Sequence, residues 1–298
     1  MDREFTVVRG PIADPAAVHA LAAGAESADG VAPLSEQFLL GVSGDGPHVL
    51  APGAGSGAQS GPAGYAGIVV PPAGGAGAAE VVVAPSERRR GLGAALVSAA
   101  LDATGEGGTV WAHGDLPAAR ATASTLGLTA VRTLLNLRRS LAGLAPAPSA
   151  PDGVTVRTYA GPEDDEQILR VNNAAFAWHP EQGGWGREQV DERTGAPWFD
   201  PAGLFLAFDE RDRLLGFHWT KVADPATGLG EVYVVAVAPE GQGRGLGTLL
   251  TAAGLHHLAG RGLDQVELYV EGDNAAALGT YRRLDFTENE RHVAYARR

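Results

Sequence analysis

The chain has 298 residues, 45% of them hydrophobic, which is enough for two globular domains. Its formal net charge of −12 argues against nucleic acid and anionic membranes as partners. Cysteine is absent, which excludes disulfides, thiolate metal sites and a cysteine nucleophile, and no apolar run approaches the ~20 residues that span a bilayer.

The first half of the chain alternates predicted strands and helices. A strand at residues 5–9 precedes a helix at 14–25, for which Asp14 is the predicted N-cap. The later predicted elements are a valine strand at 81–83, a helix at 94–101, a strand at 108–112, a helix at 116–126 and a strand at 133–139. Stretches of Ala, Gly, Pro, Ser and Gln at 51–64 and 71–79 predict flexible hairpin loops.

A segment rich in proline and alanine at residues 141–152 predicts a linker, so the domains are expected at 1–140 and 153–298. The second half repeats the plan of the first. Its predicted elements are strands at 154–159, 204–209, 214–222, 232–237, 266–270 and 292–296, and helices at 164–176, 246–258 and 274–284.

A glycine-rich turn joins the central strand of the second half to the following helix. Glycines alternate from Gly241 to Gly247, and apolar residues then recur at helical spacing. Such a turn leaves backbone N–H groups unpaired at the positive end of the helix dipole, where an anion, usually phosphate, binds. The turn lacks the lysine of a P-loop and does not match the G-x-G-x-x-G dinucleotide pattern.

The first half contains a second copy of this turn. The segment Arg88–Gly93 lies 154 positions before Gln242–Gly247. Each follows a valine-rich strand and precedes an apolar helix. Two turns of one kind at one spacing indicate an internal duplication.

Glu231 is a candidate proton acceptor at the start of the central strand. A carboxylate in a mostly apolar cleft can take a proton directly or through a water. The alternative is a solvated residue at the entry of a strand. The corresponding position of the first half is Gly77, so this acid belongs to one half only.

Two motifs resemble those of the GNAT acetyltransferases. Gln242–Gly247 resembles their Q/R-x-x-G-x-G/A pyrophosphate loop. Asn274, Ala277 and Tyr281 are similar to their N-x-x-A-x-x-x-Y motif, which implies that Tyr281 is a general acid; a core tyrosine is the alternative. Asp285 departs from the glycine that usually follows this helix, but Asp tolerates the left-handed conformation at modest cost.

The resemblance implies an α/β fold of two tandem GNAT domains, each a mixed, mostly antiparallel sheet flanked by helices. It also implies acetyl-CoA as co-substrate. Because Leu116 and Ala123 align with Asn274 and Tyr281, the first domain is expected to bind acetyl-CoA or a remnant of it and to catalyse nothing. The implied coenzyme positions are Val235, Ala236, Val237, Gln242, Gly243, Arg244, Gly245, Leu246, Gly247, Thr248, Asn274, Ala275, Ala276, Ala277, Leu278 and Gly279, and in the first domain Val81, Val82, Val83, Arg88, Arg89, Arg90, Gly91, Leu92 and Gly93.

Further stretches resemble one tandem-domain branch of this family, which acetylates the cysteinyl amine of cysteinyl-glucosaminyl-inositol. They are residues 36–39, 179–185, 217–221 and 231–235. The resemblance implies that this thiol-bearing pseudodisaccharide contacts Glu36, Glu181, Lys221, Glu231 and Tyr269. Lys221 is the only lysine of the chain, and an ordinary surface residue is the alternative for it.

Other interpretations stay open at this point. The acceptor is alternatively another small amine or a peptide N-terminus, and a protein without turnover that senses acyl-CoA is a rival of another class. We expect no metal, because the histidines show no ligand spacing with a partner acid. We also expect a monomer without nucleic-acid or membrane partners, in the cytoplasm, since no secretory signal is visible.

Overall fold

The computed structural model describes residues 6–9, 11–53, 61–71, 75–177 and 183–298. It divides into two compact units, one reaching Leu134 and including Glu290–Arg298, the other comprising Leu135–Asn289. These limits differ from the domain limits predicted at 140 and 153. The predicted linker lies within the second unit because Leu141 is buried there and its N–H donates to the carbonyl of Asp264 at 2.8 Å.

The first unit contains five complete strands and part of two more among its described residues. Its strands are β1 (Thr6–Arg9), β2 (Pro47–Ala51), β3 (Gly64–Val69), β4 (Ala78–Val83) and β5 (Thr109–Ala112), joined by the early part of β6 (Thr129–Ser140) and the late part of β12 (Thr287–Ala296). Its helices are α1 (Pro15–Asp29), α2 (Glu36–Gly41), α3 (Leu92–Ala103) and α4 (Pro117–Thr125).

The sheet of the first unit is mixed. The β1–β2, β2–β3, β3–β4 and β5–β12 pairs are antiparallel, whereas β4 and β5 are parallel. A parallel pair needs a crossover connection, and α3 provides it. On one face of β4, Val82 packs with Leu21 of α1 and Phe38 of α2; on the other face Ala79 packs with Leu96 of α3.

The second unit repeats this arrangement. Its strands are the late part of β6, β7 (Val154–Thr158), β8 (Leu204–Asp209), β9 (Leu214–Lys221), β10 (Leu229–Val237), β11 (Gln265–Glu271) and the early part of β12. Its helices are α5 (Asp165–Ala175), α6 (Arg187–Thr194), α7 (Leu246–Gly260) and α8 (Ala275–Arg283).

The second sheet also has one parallel pair beside its centre. The β7–β8, β8–β9 and β9–β10 pairs are antiparallel, β10 and β11 are parallel, and α7 connects them. The register of β10 against β9 shifts between Val232 and Val234, which places a β-bulge at Tyr233. Val232 therefore packs with Leu255 of α7, whereas Val234 packs with Ile168 of α5 on the opposite face.

Candidate active site

The turn before α7 starts the helix with glycines in a left-handed conformation. Gly243 and Gly245 have φ angles of 75° and 76°, a left-handed conformation that glycine adopts without a Cβ penalty. Gly245 is the N-cap of α7, and the first turn of this helix has no acidic residue and no side-chain cap. Its first N–H groups are therefore available to a phosphate, with the positive end of the helix dipole behind them.

A cleft opens beside β10, beyond its pairing with β11. The parallel register of the two strands ends at Glu231↔Glu267, whereas β10 continues to Val237. Val235 and Val237 line a cleft of about 790 Å³, a size typical of small-molecule sites. Beyond Glu231, the edge of β10 that faces away from β9 can pair with an extended ligand as an added strand.

Most of the implied coenzyme positions in the second unit line this cleft. They are Val235, Val237, Gln242, Gly243, Gly245, Leu246, Gly247, Thr248, Asn274, Ala275, Ala276, Ala277 and Gly279. Three others do not line it: Ala236 is buried, Leu278 is buried, and exposed Arg244 donates to the carbonyl of Asp152 at 3.4 Å.

The cleft also contains residues that the sequence analysis missed. Phe176, Thr280 and Arg283 line it, and Arg283 adds a positive charge to its wall. Helical spacing could have predicted Arg283, because this residue follows Gly279 by one turn of α8 and so lies on the same face.

Tyr281 lies on α8, in the wall of the cleft. Asn274 caps this helix through Oδ1, which accepts from the N–H of Ala277 at 3.1 Å. The phenol is only 8% exposed, and burial raises the pKa of Tyr281 to about 12. The hydroxyl therefore stays protonated at neutral pH and can donate a proton. Tyr281 is thus a core residue and a cleft residue at once.

Glu231 lies at the end of the paired part of β10 and is not among the residues that line the cleft. Its Oε2 is 3.7 Å from Nζ of Lys221, its partner residue on β9. Burial raises the pKa of Glu231; the Lys221 ammonium opposes this effect and Glu267 adds to it. A carboxylate with a raised pKa is the stronger base, as proton abstraction requires.

Aromatic rings enclose the ammonium group of Lys221. Its Nζ is 5.4 Å from the ring centroid of Trp198 and 5.2 Å from that of Tyr233, both within cation–π range. The two rings lie edge to face with centroids 5.1 Å apart. Lys221 is therefore the half-buried partner of a half-buried carboxylate.

The other implied acceptor positions are spread over the chain. Tyr269 lies on β11 and is 51% exposed. Glu36 is the first residue of α2 in the first unit and is exposed. Glu181 lies outside the described residues. Contact of these side chains with an acceptor stays a prediction.

The glycine turn of the first unit has the same backbone conformation as that of the second. Arg89 and Gly91 have φ angles of 62° and 81°, and Gly91 is the N-cap of α3. The side chains differ, because the guanidinium of Arg88 donates two hydrogen bonds to Asp29 at 2.7 and 2.8 Å and a third to the carbonyl of Val83. The charge of Arg88 is therefore neutralised within the unit.

The first unit contains a buried carboxylate that the sequence analysis missed. Glu80 on β4 is 3% exposed, and its Oε2 accepts from the N–H of Ser35 at 2.6 Å. Its Oε1 is 2.9 Å from Nε2 of His113, whose Nδ1 is 3.1 Å from Nδ1 of His292. Both carboxylate oxygens thus have a partner, and burial lowers the pKa of His292 to about 4, so this histidine is neutral.

Two kinds of feature are absent from the described residues. Across them, no group of three or more His, Cys, Asp or Glu side chains is placed to hold a metal ion. In the same part of the chain, no helix combines the length and the apolar character that crossing a membrane requires.

Comparison with known proteins gives consistent findings. The model of the acetyltransferase (GNAT) family matches residues 28–127 and 171–286, one stretch in each half. A mycothiol acetyltransferase from Tsukamurella paurometabola is 73% identical over 297 residues, covering 97% of this chain and 98% of the relative. Another from Nocardia farcinica is 54% identical over 286 residues, covering 94% and 93%.

Solved structures show the same fold. A GCN5-related N-acetyltransferase from Sphaerobacter thermophilus aligns over 99% of this chain and 95% of its own length, with a TM-score of 0.75 and 24% sequence identity. At that identity the likeness concerns the fold, and the two mixed sheets with their crossover helices account for it.

Proposed function

Because this chain belongs to the acetyltransferase (GNAT) family, we propose that it is the N-acetyltransferase that forms mycothiol by acetylating the cysteinyl amine of cysteinyl-glucosaminyl-inositol. The resemblance detected in the glycine turns, and the tandem α/β fold that it implied, are confirmed. The 73% identity to a mycothiol acetyltransferase over nearly the whole chain is the observation that carries the choice of acceptor.

The cleft beside β10 would hold acetyl-CoA, which supplies the thioester. The N–H groups at the start of α7 would hold its pyrophosphate, since this helix terminus carries no competing acid. The edge of β10 at Val235 and Val237 would pair with its pantetheine arm. Arg283 and Thr248 supply polar groups to the same cleft.

In this proposal the second unit supplies the groups for direct acetyl transfer. Glu231 accepts a proton from the acceptor amine, which then attacks the thioester carbonyl. Backbone N–H groups of β10 stabilise the resulting oxyanion. A C–N bond forms, the C–S bond breaks, and Tyr281 protonates the departing thiolate. The tyrosinate then takes up the remaining proton that the nitrogen loses as the amide forms. The chain has no cysteine, so no cysteinyl acyl-enzyme takes part.

The acceptor is recognised on the Glu231 side of the strand. Lys221 lies beside Glu231, and both would contact the pseudodisaccharide together with Tyr269, Glu36 and Glu181. The Lys221 ammonium lies over two rings and beside Glu231, which suits a residue that orients hydroxyl groups.

The first unit is proposed to hold a second acetyl-CoA without catalysis. The φ angles of Arg89 and Gly91, which match those of Gly243 and Gly245, support the phosphate contact. Ala123 supports the proposed lack of catalysis in the first unit, because it is a buried alanine on α4 at the position that aligns with Tyr281.

Incubation of the full-length protein with acetyl-CoA and cysteinyl-glucosaminyl-inositol tests this function. Mass spectrometry should detect the N-acetylated product, and Tyr281→Phe should slow its formation about a hundredfold. Tyr295→Phe in the first unit is the matched control, since the Tyr295 hydroxyl bonds Asp115 at 2.7 Å instead.

Other results of this assay would distinguish the alternative functions. Faster acetylation of glucosamine or of a dipeptide would support another acceptor, whereas coenzyme binding without any product would support a sensor. We further propose a monomer located in the cytoplasm, where acetyl-CoA is available. Size-exclusion chromatography with light scattering tests the monomer.

A further inference from the structure

Arg193 on α6 reaches the bulge of β10. Its Nε donates to Oη of Tyr233 at 2.9 Å, and its Nη1 donates to the carbonyl of Gln189 at 2.9 Å. Tyr233 is the residue at the register shift between β9 and β10. The guanidinium therefore ties this irregular point of the central strand to a neighbouring helix.

The guanidinium is itself held in place from its other side. Its carbon lies 4.3 Å from the ring centroid of Trp185, which is 6% exposed. The backbone of Trp185 exchanges two hydrogen bonds with the side chain of Asn173 on α5: its N–H donates to Oδ1 at 2.8 Å, and its carbonyl accepts from Nδ2 at 2.8 Å. Arg193 thus has little freedom to follow Tyr233 if that residue moves.

Contacts continue from Tyr233 to the proposed base. The ring of Tyr233 faces Nζ of Lys221 at 5.2 Å, and that Nζ is 3.7 Å from Oε2 of Glu231. Coulomb attraction falls with distance, so the influence of the ammonium on the carboxylate depends on where this ring holds it.

We propose that Arg193 is a positioning residue for acetyl transfer: by fixing Tyr233 at the bulge, it holds the Lys221 ammonium beside Glu231. This inference rests on the proposed function. Arg193 does not line the coenzyme cleft, so its effect is confined to the acceptor side of the strand.

Two charged groups face Glu231 from the neighbouring strands, Lys221 on β9 and Glu267 on β11. Glu267 is itself bound by Arg138 at 2.7 Å and by Nδ2 of Asn136 at 3.2 Å. Lys221 is therefore the cation that counteracts burial and keeps the pKa of Glu231 from rising further. If Lys221 moves away, the pKa of Glu231 rises.

Steady-state kinetics of Arg193→Ala tests the proposal. We expect kcat to fall roughly tenfold or more, as for a displaced catalytic geometry, with an unchanged KM for acetyl-CoA. The acid limb of the kcat/KM profile should move to higher pH. Arg187→Ala is the control, because it removes the same charge from the same helix, where Arg187 pairs with Asp191 and with Asp165, each at 3.3 Å, and not with Tyr233.

Further variants separate positioning from a general loss of structure. Tyr233→Phe keeps the ring and removes the hydrogen bond, so it should change kcat and the pH profile in the same direction. The double variant should be no slower than the slower single variant. Added guanidinium ion should partly restore the kcat of Arg193→Ala.

The outcomes are distinct. Equal kcat and equal pH profiles for Arg193→Ala and Arg187→Ala would overturn the positioning role while leaving the proposed function intact. If Arg193→Ala does not fold, an unaltered kcat and pH profile in Tyr233→Phe overturns it instead. A wild-type protein that forms no acetylated product overturns the function and this inference together.

Discussion

The two glycine turns have one backbone and different surroundings. Gly243 and Gly245 share their left-handed conformation with Arg89 and Gly91. In the second unit the turn borders a cleft, whereas in the first the adjacent Arg88 is engaged by Asp29. Duplication has thus preserved the hydrogen-bonding geometry of the main chain, which depends on few side chains, while the charges around it have diverged.

The two strand carboxylates show the same contrast. Glu80 has a partner at each oxygen, the N–H of Ser35 and the ring of His113. Glu231 has a cation at 3.7 Å and is one-quarter exposed. A base needs an oxygen that a substrate can reach, so burial alone does not make a carboxylate catalytic. Whether a carboxylate can act as a base depends on the hydrogen-bonding capacity that its oxygens keep for a substrate.

The largest expected effect comes from removing the proposed base. Glu231→Gln should lower kcat by about 10²- to 10⁴-fold, because the amide accepts no proton. The wild-type kcat/KM should fall with decreasing pH through a pKa above the usual glutamate value, since burial raises the pKa of Glu231 and protonation inactivates it. This acid limb should be absent from the variant.

Glu80→Gln is the matched control for that experiment. It should leave kcat unchanged, because the Glu80 oxygens are occupied within the first unit. Equal losses of kcat in the two variants would contradict the proposal that the second unit alone catalyses acetyl transfer. Stopped assays at several pH values measure both.

A smaller effect is expected from the glycine turns. A Cβ at Gly91 or at Gly245 would meet nothing within 4 Å, so alanine strains only the backbone, by about 1–2 kcal/mol in each unit. Gly245→Ala should weaken acetyl-CoA binding about tenfold, equivalent to ~1.4 kcal/mol, by obstructing approach to the turn.

Calorimetric titration compares the two glycine variants directly. If the first unit holds a second acetyl-CoA, wild type should bind two equivalents, and Gly91→Ala should weaken the site that does not support turnover. A single equivalent in wild type, insensitive to Gly91→Ala, would restrict coenzyme binding to the second unit.

The Arg88–Asp29 pair should contribute to stability and not to rate. Arg88→Ala breaks a bidentate ion pair whose side chains are 32% and 21% exposed, so the expected loss in free energy of unfolding is about 1 kcal/mol after solvent screening. Thermal denaturation measures the loss. A fall in kcat with an unchanged melting temperature would contradict a purely stabilising role for the Arg88–Asp29 pair.

The smallest effect concerns the ends of α4 and α8. The residue after the C-cap is Gly127 in the first unit (φ 65°) and Asp285 in the second (φ 59°). Asp285→Gly should stabilise the second unit by about 0.5 kcal/mol, because glycine adopts this conformation more readily. The 3.7 Å contact of Asp285 with Arg139 contributes little at 87% exposure. Gly127→Asp should destabilise the first unit, as measured by the same melting assay.

Much of the fold could be predicted from local patterns. The strands at 204–209 and 214–222 and the helix at 274–284 match β8, β9 and α8 within a residue at either end, because their apolar spacing and Asn274 cap are local signals. The strands β2 and β3 were missed. In β3 (Gly64–Val69) the glycine and alanine residues give a weak strand propensity that neighbouring strands override.

The sequence by itself determined the duplication, the two glycine turns and the positions of Glu231 and Tyr281, since these depend on spacing along the chain. Only the tertiary structure decided which side chains complete each site. Glu80 and Arg88 take their partners, Ser35 and Asp29, from other elements, and Lys221 meets Glu231 across the β9–β10 pair. Such contacts between strands and helices leave no periodic trace in one sequence, because packing selects them after the elements have formed.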